Sequence, residues 1–308
     1  MKPSILLIGA NGQIGRELNR RLVEVGEVTA CDRQRLDLKN AADIRDAVQA
    51  VRPDWIVNSA AYTAVDQAEA DADSARAVNA GAPAILAEEA KKTGALLVHY
   101  STDYVFDGKK TEPYIETDQP NPLNVYGRTK LEGERAIEQS GARYLIFRTS
   151  WVYASAGRNF LLKILQLGTQ REEIRIVCDQ IGAPTSAAEI AKATVRVLET
   201  LKGRETKASM PADLGSTYHM TADGQTSWYE FAKAIIEEAK NARSVPPWLL
   251  AATNNLPLIV QRIVPINTSE FPTPAKRPLY SVLSNERLSR AFGVQLPNWR
   301  TQLGSLFE

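Results

Sequence analysis

A short apolar segment near the start of the chain runs straight into a glycine-rich turn, and this junction constrains the fold more than any other feature. Residues 5–8 are all apolar, as expected of a parallel strand that is buried on both faces. Gly9, Gly12 and Gly15 follow at three-residue intervals, and apolar residues then recur with helical spacing up to about Gly26. A strand, a tight glycine turn and a helix in this order predict a dinucleotide-binding α/β unit.

The same turn is the first part of a predicted cofactor site. Glycines let the backbone approach a pyrophosphate, which then sits at the N-terminus of the helix. The predicted contacts of this turn are Gly9, Asn11, Gly12, Gln13, Ile14 and Gly15. Asp32, 17 residues after Gly15, is placed to meet the adenosine ribose of NAD, whereas the adjacent Arg33 suits the 2′-phosphate of NADP. Because these two signals conflict, we expect the protein to use either NADPH or NADH.

Further apolar segments predict more strands of the same sheet, at residues 27–32, 53–58, 94–100, 143–150 and 175–178. Parallel strands place their carboxyl ends at one edge, where open α/β sheets bind ligands. Asp37 and Leu38 follow the second strand, where the chain can turn back over an adenine. Ala60 and Ala61 follow the third, and their small side chains favour close approach to a ligand. The fourth strand delivers Ser101 and Thr102 to the same edge.

These elements predict an α/β fold, namely a Rossmann-type doubly wound parallel sheet with a smaller C-terminal substrate-binding lobe. The length of 308 residues suits about two such units. Seven prolines between Val245 and Leu283 leave no good helix in that lobe. We assign residues 1–150 and about 175–205 to the dinucleotide-binding domain, and about 151–174 and 206–308 to the substrate-binding lobe.

Charge and composition argue against several classes of function. The formal net charge is +1, which gives no electrostatic case for a nucleic acid or an anionic membrane as partner. No apolar run is long enough to span a membrane, and no signal peptide is evident, so we expect a cytoplasmic protein. Cys31 and Cys178 are predicted to be buried free thiols. With only two histidines and no cysteine cluster, we expect no zinc site.

Tyr126 and Lys130 lie four residues apart in a predicted helix and therefore share one face. A nearby ammonium favours the phenolate, so we expect the pKa of Tyr126 to fall toward neutrality. A tyrosine tuned in this way can pass a proton at physiological pH. The pair is common by chance, but here it stands 24 residues after the hydroxyl of Thr102 and behind the glycine turn.

This ordered set of motifs resembles the extended short-chain dehydrogenase/reductase superfamily over the first 200 residues. Longer motifs are similar to those of the dTDP-4-dehydrorhamnose reductase family, at residues 101–108, 122–127, 148–153, 179–185 and 272–278. Related sugar-nucleotide dehydratases place an Asp-Glu pair after the threonine. Here Thr102 is followed by Asp103 and Tyr104, which disfavours dehydration.

The resemblance implies reduction of the C4 keto group of dTDP-4-dehydro-L-rhamnose, the final step of dTDP-rhamnose biosynthesis. Tyr126 is then the general acid, Lys130 holds the nicotinamide ribose, and Thr102 donates a hydrogen bond to the reacting oxygen. Tyr62 and Tyr100 look like further cofactor contacts. The implied substrate contacts are Thr102, Asp103, Tyr126, Trp151, Asn159 and Arg277, with Trp151 on the deoxysugar and Arg277 on the diphosphate.

Two alternatives remain open at this point. The chain resembles reductases of other NDP-4-keto-6-deoxysugars, because pocket shape decides which nucleotide and sugar bind. It also resembles a relative that serves as the non-catalytic regulatory subunit of methionine adenosyltransferase.

The resemblance also raises the question of Mg²⁺, which some members of the family bind through glutamates at a dimer interface. Glu17 stands at one such position, but the second acid is Glu189, one residue later than the expected pattern. One residue rotates a side chain by about 100° around a helix. We therefore expect no metal site, and we expect a monomer or a homodimer without a metal bridge.

Overall fold

A computed structural model describes residues 2–202 and 215–308. Those residues contain twelve strands: β1 (Ser4–Ile8), β2 (Glu27–Cys31), β3 (Trp55–Asn58), β4 (Leu96–Thr102), β5 (Arg143–Thr149), β6 (Val152–Tyr153), β7 (Glu173–Val177), β8 (Ile181–Gly182), β9 (Thr185–Ser186), β10 (Ser216–His219), β11 (Thr226–Ser227) and β12 (Arg262–Ile266). They also contain twelve α-helices: α1 (Gln13–Leu22), α2 (Ala41–Val51), α3 (Val65–Ala70), α4 (Ala72–Arg76), α5 (Ala82–Thr93), α6 (Val125–Gln139), α7 (Phe160–Gly168), α8 (Ala187–Lys202), α9 (Trp228–Asn241), α10 (Pro247–Thr253), α11 (Glu286–Phe292) and α12 (Trp299–Phe307).

Six parallel strands form the central sheet, in the order β10-β5-β4-β3-β1-β2. Ile8 at the end of β1 is in register with both Cys31 and Asn58, and Asn58 is in register with His99. The glycine turn, the exit of β3 and the end of β4 at Thr102 therefore meet at one edge of the sheet. The predicted Rossmann-type fold is confirmed.

The sheet is covered by helices on both faces because its inner strands carry apolar residues on both sides. Leu6 and Leu7 are adjacent and point to opposite faces, yet both are fully buried. Leu7 packs in one core with Leu18 of α1, and Leu6 packs in the other with Leu86 of α5. A strand buried on both faces cannot alternate polar and apolar residues, which explains the continuous apolar runs in the sequence.

The sixth strand of the central sheet was predicted wrongly. The predicted segment belongs to β7, which pairs with β12 in a separate two-stranded sheet, and the sixth central strand is β10. In β7, exposed Glu173 and Arg175 alternate with buried Ile174 and Ile176, the pattern of a strand with one solvent face. The division of the chain into two lobes remains a prediction, and the predicted boundary near residue 205 lies outside the described residues.

Three local expectations also need correction. The proline-rich segment does contain a helix, α10, which has Pro247 in its first turn, where a missing N–H costs nothing. The acidic, alanine-rich sequence of residues 65–92 predicts one long helix or a helix pair, but this segment folds as α3, α4, a π-helical turn at Ala77–Gly81 and α5. Cys31 is buried, but Cys178 is partly exposed, and both thiols are free. Within the described residues, no helix is long and apolar enough to cross a membrane.

Candidate active site

The glycine turn between β1 and α1 leaves no room for a side chain at Gly9 or Gly15. Gly9 has a φ of +83°, and a Cβ there would lie 2.7 Å from the amide nitrogen of Ala60. The Gly12 amide donates to the Gly9 carbonyl at 2.9 Å, and Gly12 is the N-cap of α1. A Cβ on Gly15 would overlap the same Gly9 carbonyl oxygen. This bare backbone at a helix N-terminus fits the pyrophosphate of a dinucleotide.

Replacing Gly15 with Ala tests this cradle. We expect the free energy of unfolding to fall by about 1–3 kcal/mol and NADPH to bind more weakly, because the added methyl displaces the turn. Gly304→Ala is the matched control: Gly304 is also in a helix, but a Cβ there would meet nothing within 4 Å. That control should leave NADPH binding unchanged. Denaturant unfolding and cofactor titration measure both effects, and equal behaviour of the two variants would contradict the cradle.

Asp32 lies beside the glycine turn, immediately after β2. Its carboxylate accepts from the Asn11 amide at 2.8 Å and from the backbone N–H groups of Gln34 and Arg35 at 3.0 and 3.1 Å. Asp32 is thus fixed at the position where a ribose is expected, and Arg33 next to it is exposed. The structure brings both predicted specificity residues to the same corner of the site.

Five further predicted cofactor residues follow strands of the sheet: three follow β3 and two follow β2. Ala60 lies against Gly9 at the exit of β3, Ala61 and Tyr62 follow it in the chain, and the Tyr62 amide donates to Asn79 Oδ1 at 2.9 Å. Asp37 is exposed, and its carboxylate accepts from the backbone amide of Lys39 at 3.0 Å. Leu38 is 8% exposed and packs in the core.

Tyr100 is placed differently from the prediction. Its ring is 5% exposed, its hydroxyl lies 2.7 Å from Thr194 Oγ1 of α8, and it packs against Phe147. The side chain therefore belongs to the core, on the face of β4 opposite to Lys130. Only the Tyr100 carbonyl points toward the site, where it accepts from Lys130 Nζ at 2.6 Å.

The reactive hydroxyls meet at the end of β4. Thr102 is 4% exposed, and its Oγ1 accepts from the Tyr104 amide and donates to Asp103 Oδ1, each at 3.1 Å. Tyr126, in the first turn of α6, packs edge-to-face on Tyr104 with ring centroids 5.8 Å apart. The Thr102 hydroxyl lies near the Tyr126 side chain, where it opposes the rise in the pKa of Tyr126. The two hydroxyls therefore lie near each other at the end of β4, with Asp103 beside them.

The expected near-neutral pKa of Tyr126 is wrong for this structure. Burial raises the pKa of Tyr126 to about 12, the hydrogen bond with Thr102 opposes that rise, and the Asp103 charge adds to it. Burial likewise raises the pKa of Asp103 to about 7. A phenol with so high a pKa keeps its proton at physiological pH, which is the state that a general acid requires.

Lys130 does not act as the simple neighbouring charge that the four-residue spacing suggested. It is 1% exposed, and its Nζ lies 3.1 Å from His99 Nε2 as well as 2.6 Å from the Tyr100 carbonyl. Burial lowers the pKa of Lys130 to about 8, against the opposing influence of Glu134 one turn further along α6. The ammonium is therefore only weakly favoured near neutral pH.

Asn124 and Gly127, which the sequence analysis did not select, hold Tyr126 in place. Asn124 is the N-cap of α6: its Oδ1 accepts from the Gly127 amide at 2.8 Å, and its Nδ2 donates to the Lys276 carbonyl at 2.8 Å. A Cβ on Gly127 would overlap the Tyr104 carbonyl oxygen. An asparagine just before a helical segment is a capping signal, so Asn124 could have been found from the sequence.

Trp151 has a strained backbone and a stacked ring. Its φ is +46°, which is rare for a bulky residue and is typical of functional positions. The indole stacks on Trp228 with ring centroids 3.5 Å apart, and a Cβ on Gly182 would overlap its edge. The Trp151 ring is thus held rigidly, and its contact with a sugar stays a prediction.

Arg277 and Asn159, the other predicted substrate contacts, both have protein partners. Arg277 donates to the two carboxylate oxygens of Asp66 at 3.1 and 2.8 Å and lies beside Tyr104, close to the reactive hydroxyls. Asn159 caps α7, and its Nδ2 donates to Gln13 Oε1 at 2.9 Å. Asn159 therefore joins α7 to the first turn of α1.

The two glutamates considered for Mg²⁺ each pair with a basic residue on their own helix. Glu17 accepts from Arg20 at 3.1 Å, and Glu189 lies 3.5 Å from Lys192. Within residues 2–202 and 215–308, no three His, Cys, Asp or Glu side chains are grouped so that they could hold a metal ion.

Comparison with known proteins agrees with this geometry along the whole chain. Residues 1–308 match the sequence model of the family described as RmlD substrate binding domain. The chain is 49% identical over 300 residues to dTDP-4-dehydrorhamnose reductase of Burkholderia thailandensis, covering 97% of this chain and 96% of that protein. It is 40% identical over 301 residues to dTDP-4-dehydrorhamnose reductase of Escherichia coli K12, covering 96% of this chain and 94% of that protein.

A solved structure gives the same result in three dimensions. The crystal structure of dTDP-4-dehydrorhamnose reductase from Bacillus anthracis in complex with NADP is 36% identical and has a TM-score of 0.87, covering 100% of this chain and 99% of that one. The resemblance inferred from the motifs is confirmed by these matches. The chain belongs to the RmlD family of dTDP-4-dehydrorhamnose reductases, within the extended short-chain dehydrogenase/reductase superfamily.

Proposed function

We propose that this protein reduces the C4 keto group of dTDP-4-dehydro-L-rhamnose to give dTDP-L-rhamnose, with NADPH or NADH as reductant. The observation that carries the proposal is the placement of the Thr102 and Tyr126 hydroxyls near each other at the sheet edge that also holds the glycine turn. Family membership supports the choice of substrate, because the relatives at 49% and 40% identity bear that enzyme's name.

In the proposed chemistry, a side chain of this protein donates a proton to the oxygen of the carbonyl group that is being reduced. A bound reduced nicotinamide supplies the hydride. Tyr126 donates its phenolic proton to the oxygen of the former carbonyl, and its raised pKa ensures that the proton is present beforehand. Thr102 donates a hydrogen bond to the same oxygen, an interaction worth on the order of 3 kcal/mol in the transition state.

Other residues bind and orient the two ligands. The bare turn from Gly9 to Gly15 receives the pyrophosphate, and Asp32 the adenosine ribose. Lys130 would hold the nicotinamide ribose. Arg277 meets the diphosphate of the nucleotide sugar, for which its planar fork of donors is suited, and Asp66 keeps the guanidinium in place.

Cofactor choice follows from Asp32 and Arg33 together. We expect the KM values for NADH and NADPH to differ by less than about tenfold, or roughly 1.4 kcal/mol. Arg33→Ser should raise the KM for NADPH and leave that for NADH nearly unchanged, since the exposed guanidinium serves only the 2′-phosphate. The control is Arg52→Ser, because Arg52 is also an exposed arginine and directly follows α2. A much larger gap in the unmodified protein would show that one of the two residues decides alone.

The direct test of the proposal is turnover with defined substrates. Purified protein, NADPH and enzymatically prepared dTDP-4-dehydro-L-rhamnose should consume NADPH and yield dTDP-L-rhamnose. Turnover restricted to another nucleotide 4-keto-6-deoxysugar would identify a different reductase. Cofactor binding without turnover of any such sugar would favour the non-catalytic regulatory reading.

We further propose that the protein works in the cytoplasm as a monomer or a homodimer without a metal bridge. The pairing of Glu17 with Arg20 and of Glu189 with Lys192 supports the absence of such a bridge. Light scattering with and without EDTA tests it, and an EDTA-sensitive dimer would overturn it.

A further inference from the structure

His99 is a fully buried histidine that has no part in the mechanism described so far. It lies in the middle of β4, between Asn58 on β3 and Lys130 on α6. Its Nδ1 is 3.1 Å from Asn58 Nδ2, and its Nε2 is 3.1 Å from Lys130 Nζ. One imidazole thus links a strand residue to the lysine of the active site.

The proton of this imidazole can be placed from its neighbours. The Ala60 amide donates to Asn58 Oδ1 at 3.2 Å, which fixes the side-chain amide with its NH₂ group toward His99. An NH₂ group donates and does not accept, so His99 Nδ1 must accept from it. Burial holds the pKa of His99 well below its usual range, so the ring is neutral. A neutral ring that accepts at Nδ1 carries its single proton on Nε2.

The Nε2–H group faces Lys130 Nζ. An ammonium has only donors, whereas a neutral amine has a lone pair that can accept from Nε2–H while one of its own N–H groups donates to the Tyr100 carbonyl. We infer that His99 is a positioning residue: held in the Nε2–H tautomer by Asn58, it donates to Lys130 Nζ and thereby opposes protonation of that amine.

The groups around Lys130 either favour or oppose its ammonium form. Glu134, on the same helix, favours the ammonium, and Arg148 of β5 pairs with Glu134 behind it. The imidazole on β4 opposes the ammonium, while the charge of Asp103, in the turn after β4, raises the pKa of Tyr126. Lys130 is thus held near the point at which it gains or loses its proton. In the proposed reaction its positive form would stabilise the phenolate that Tyr126 becomes after donating its proton.

The tautomer can be measured without turnover, in the full-length protein. The chain has two histidines, His99 and His219. His219 Nδ1 lies 3.1 Å from the Tyr114 carbonyl oxygen, which only accepts, so His219 should carry its proton on Nδ1. NMR of ¹⁵N-histidine-labelled protein should therefore show two neutral rings in opposite tautomers. The His99→Gln and His219→Gln variants assign the two signals. A His99 ring with its proton on Nδ1, or with protons on both nitrogens at neutral pH, would overturn the inference.

A kinetic measurement separates positioning from mere packing, and it rests on the proposed reductase activity. In His99→Gln the side-chain amide can turn its oxygen to Lys130 and accept from the ammonium. The basic limb of the kcat/KM profile should then move to higher pH by about one unit. A uniform loss of kcat with no movement of that limb would leave His99 only a structural role and overturn the inference. If the protein reduces no sugar at all, the proposed function fails, and the tautomer measurement still decides the arrangement at His99.

Discussion

Tyr126→Phe is expected to lower kcat by about 10²–10⁴-fold while NADPH still binds. The substitution removes only the phenolic oxygen, so the ring keeps its edge-to-face contact with Tyr104. What is lost is the proton that Tyr126 holds at physiological pH. Steady-state rates with saturating NADPH and nucleotide sugar give the loss, and fluorescence titration gives the cofactor affinity.

Tyr280→Phe is the matched control for that experiment. Its hydroxyl donates to Gln225 at 3.1 Å, away from the reactive pair, so the same loss of one oxygen should leave kcat nearly unchanged. Near-normal turnover of Tyr126→Phe would remove Tyr126 from the acid role. Equal losses in both variants would point to a general effect on folding.

The largest effect on stability is expected for Glu134→Ala, with a loss of about 3–5 kcal/mol in the free energy of unfolding. Glu134 and Arg148 form an ion pair at 2.6 Å, with side chains only 1% and 5% exposed. Removing the carboxylate leaves a buried guanidinium without its counter-charge, and Arg148 Nη1 already has no hydrogen-bond partner within the described structure. Urea unfolding of the purified protein measures the loss.

Glu132→Ala provides the control on the same helix. Glu132 pairs with Arg76 at 2.8 Å, but the two side chains are 39% and 57% exposed. Solvent screens such a pair, so its removal should leave the free energy of unfolding nearly unchanged. Similar losses for the two variants would show that burial of the Glu134–Arg148 pair does not increase its contribution to the free energy of unfolding.

The sheet and the glycine turn could be predicted from the sequence because both depend on local pattern. Apolar runs mark strands that are buried on both faces, and Gly9, Gly12 and Gly15 stand at the start of a helix. The sixth strand could not be assigned in the same way. Short strands such as β7 and β10 look alike in sequence, and only their long-range partners separate them.

The helical face that Tyr126 and Lys130 share could also be predicted, but not the ionisation of these two residues. Spacing places Tyr126 and Lys130 on one helical face, yet the pKa values depend on burial and on contacts with β4, which the spacing does not contain. A single histidine in a largely apolar strand usually signals only a satisfied core position, so the sequence alone does not single out His99. Its link to Lys130 joins residues 31 positions apart and becomes visible only in the folded chain.

The central claim is that this protein transfers a hydride from a nicotinamide cofactor to the C4 carbonyl of a dTDP-4-dehydro sugar, with Tyr126 as the proton donor. The most direct measurement uses NADPH carrying deuterium at both positions of the nicotinamide C4. Mass spectrometry and NMR of the product should find one deuterium at C4 of the rhamnose ring of dTDP-L-rhamnose. Product without deuterium at that carbon, or NADPH that remains unconsumed beside intact substrate, would contradict the claim.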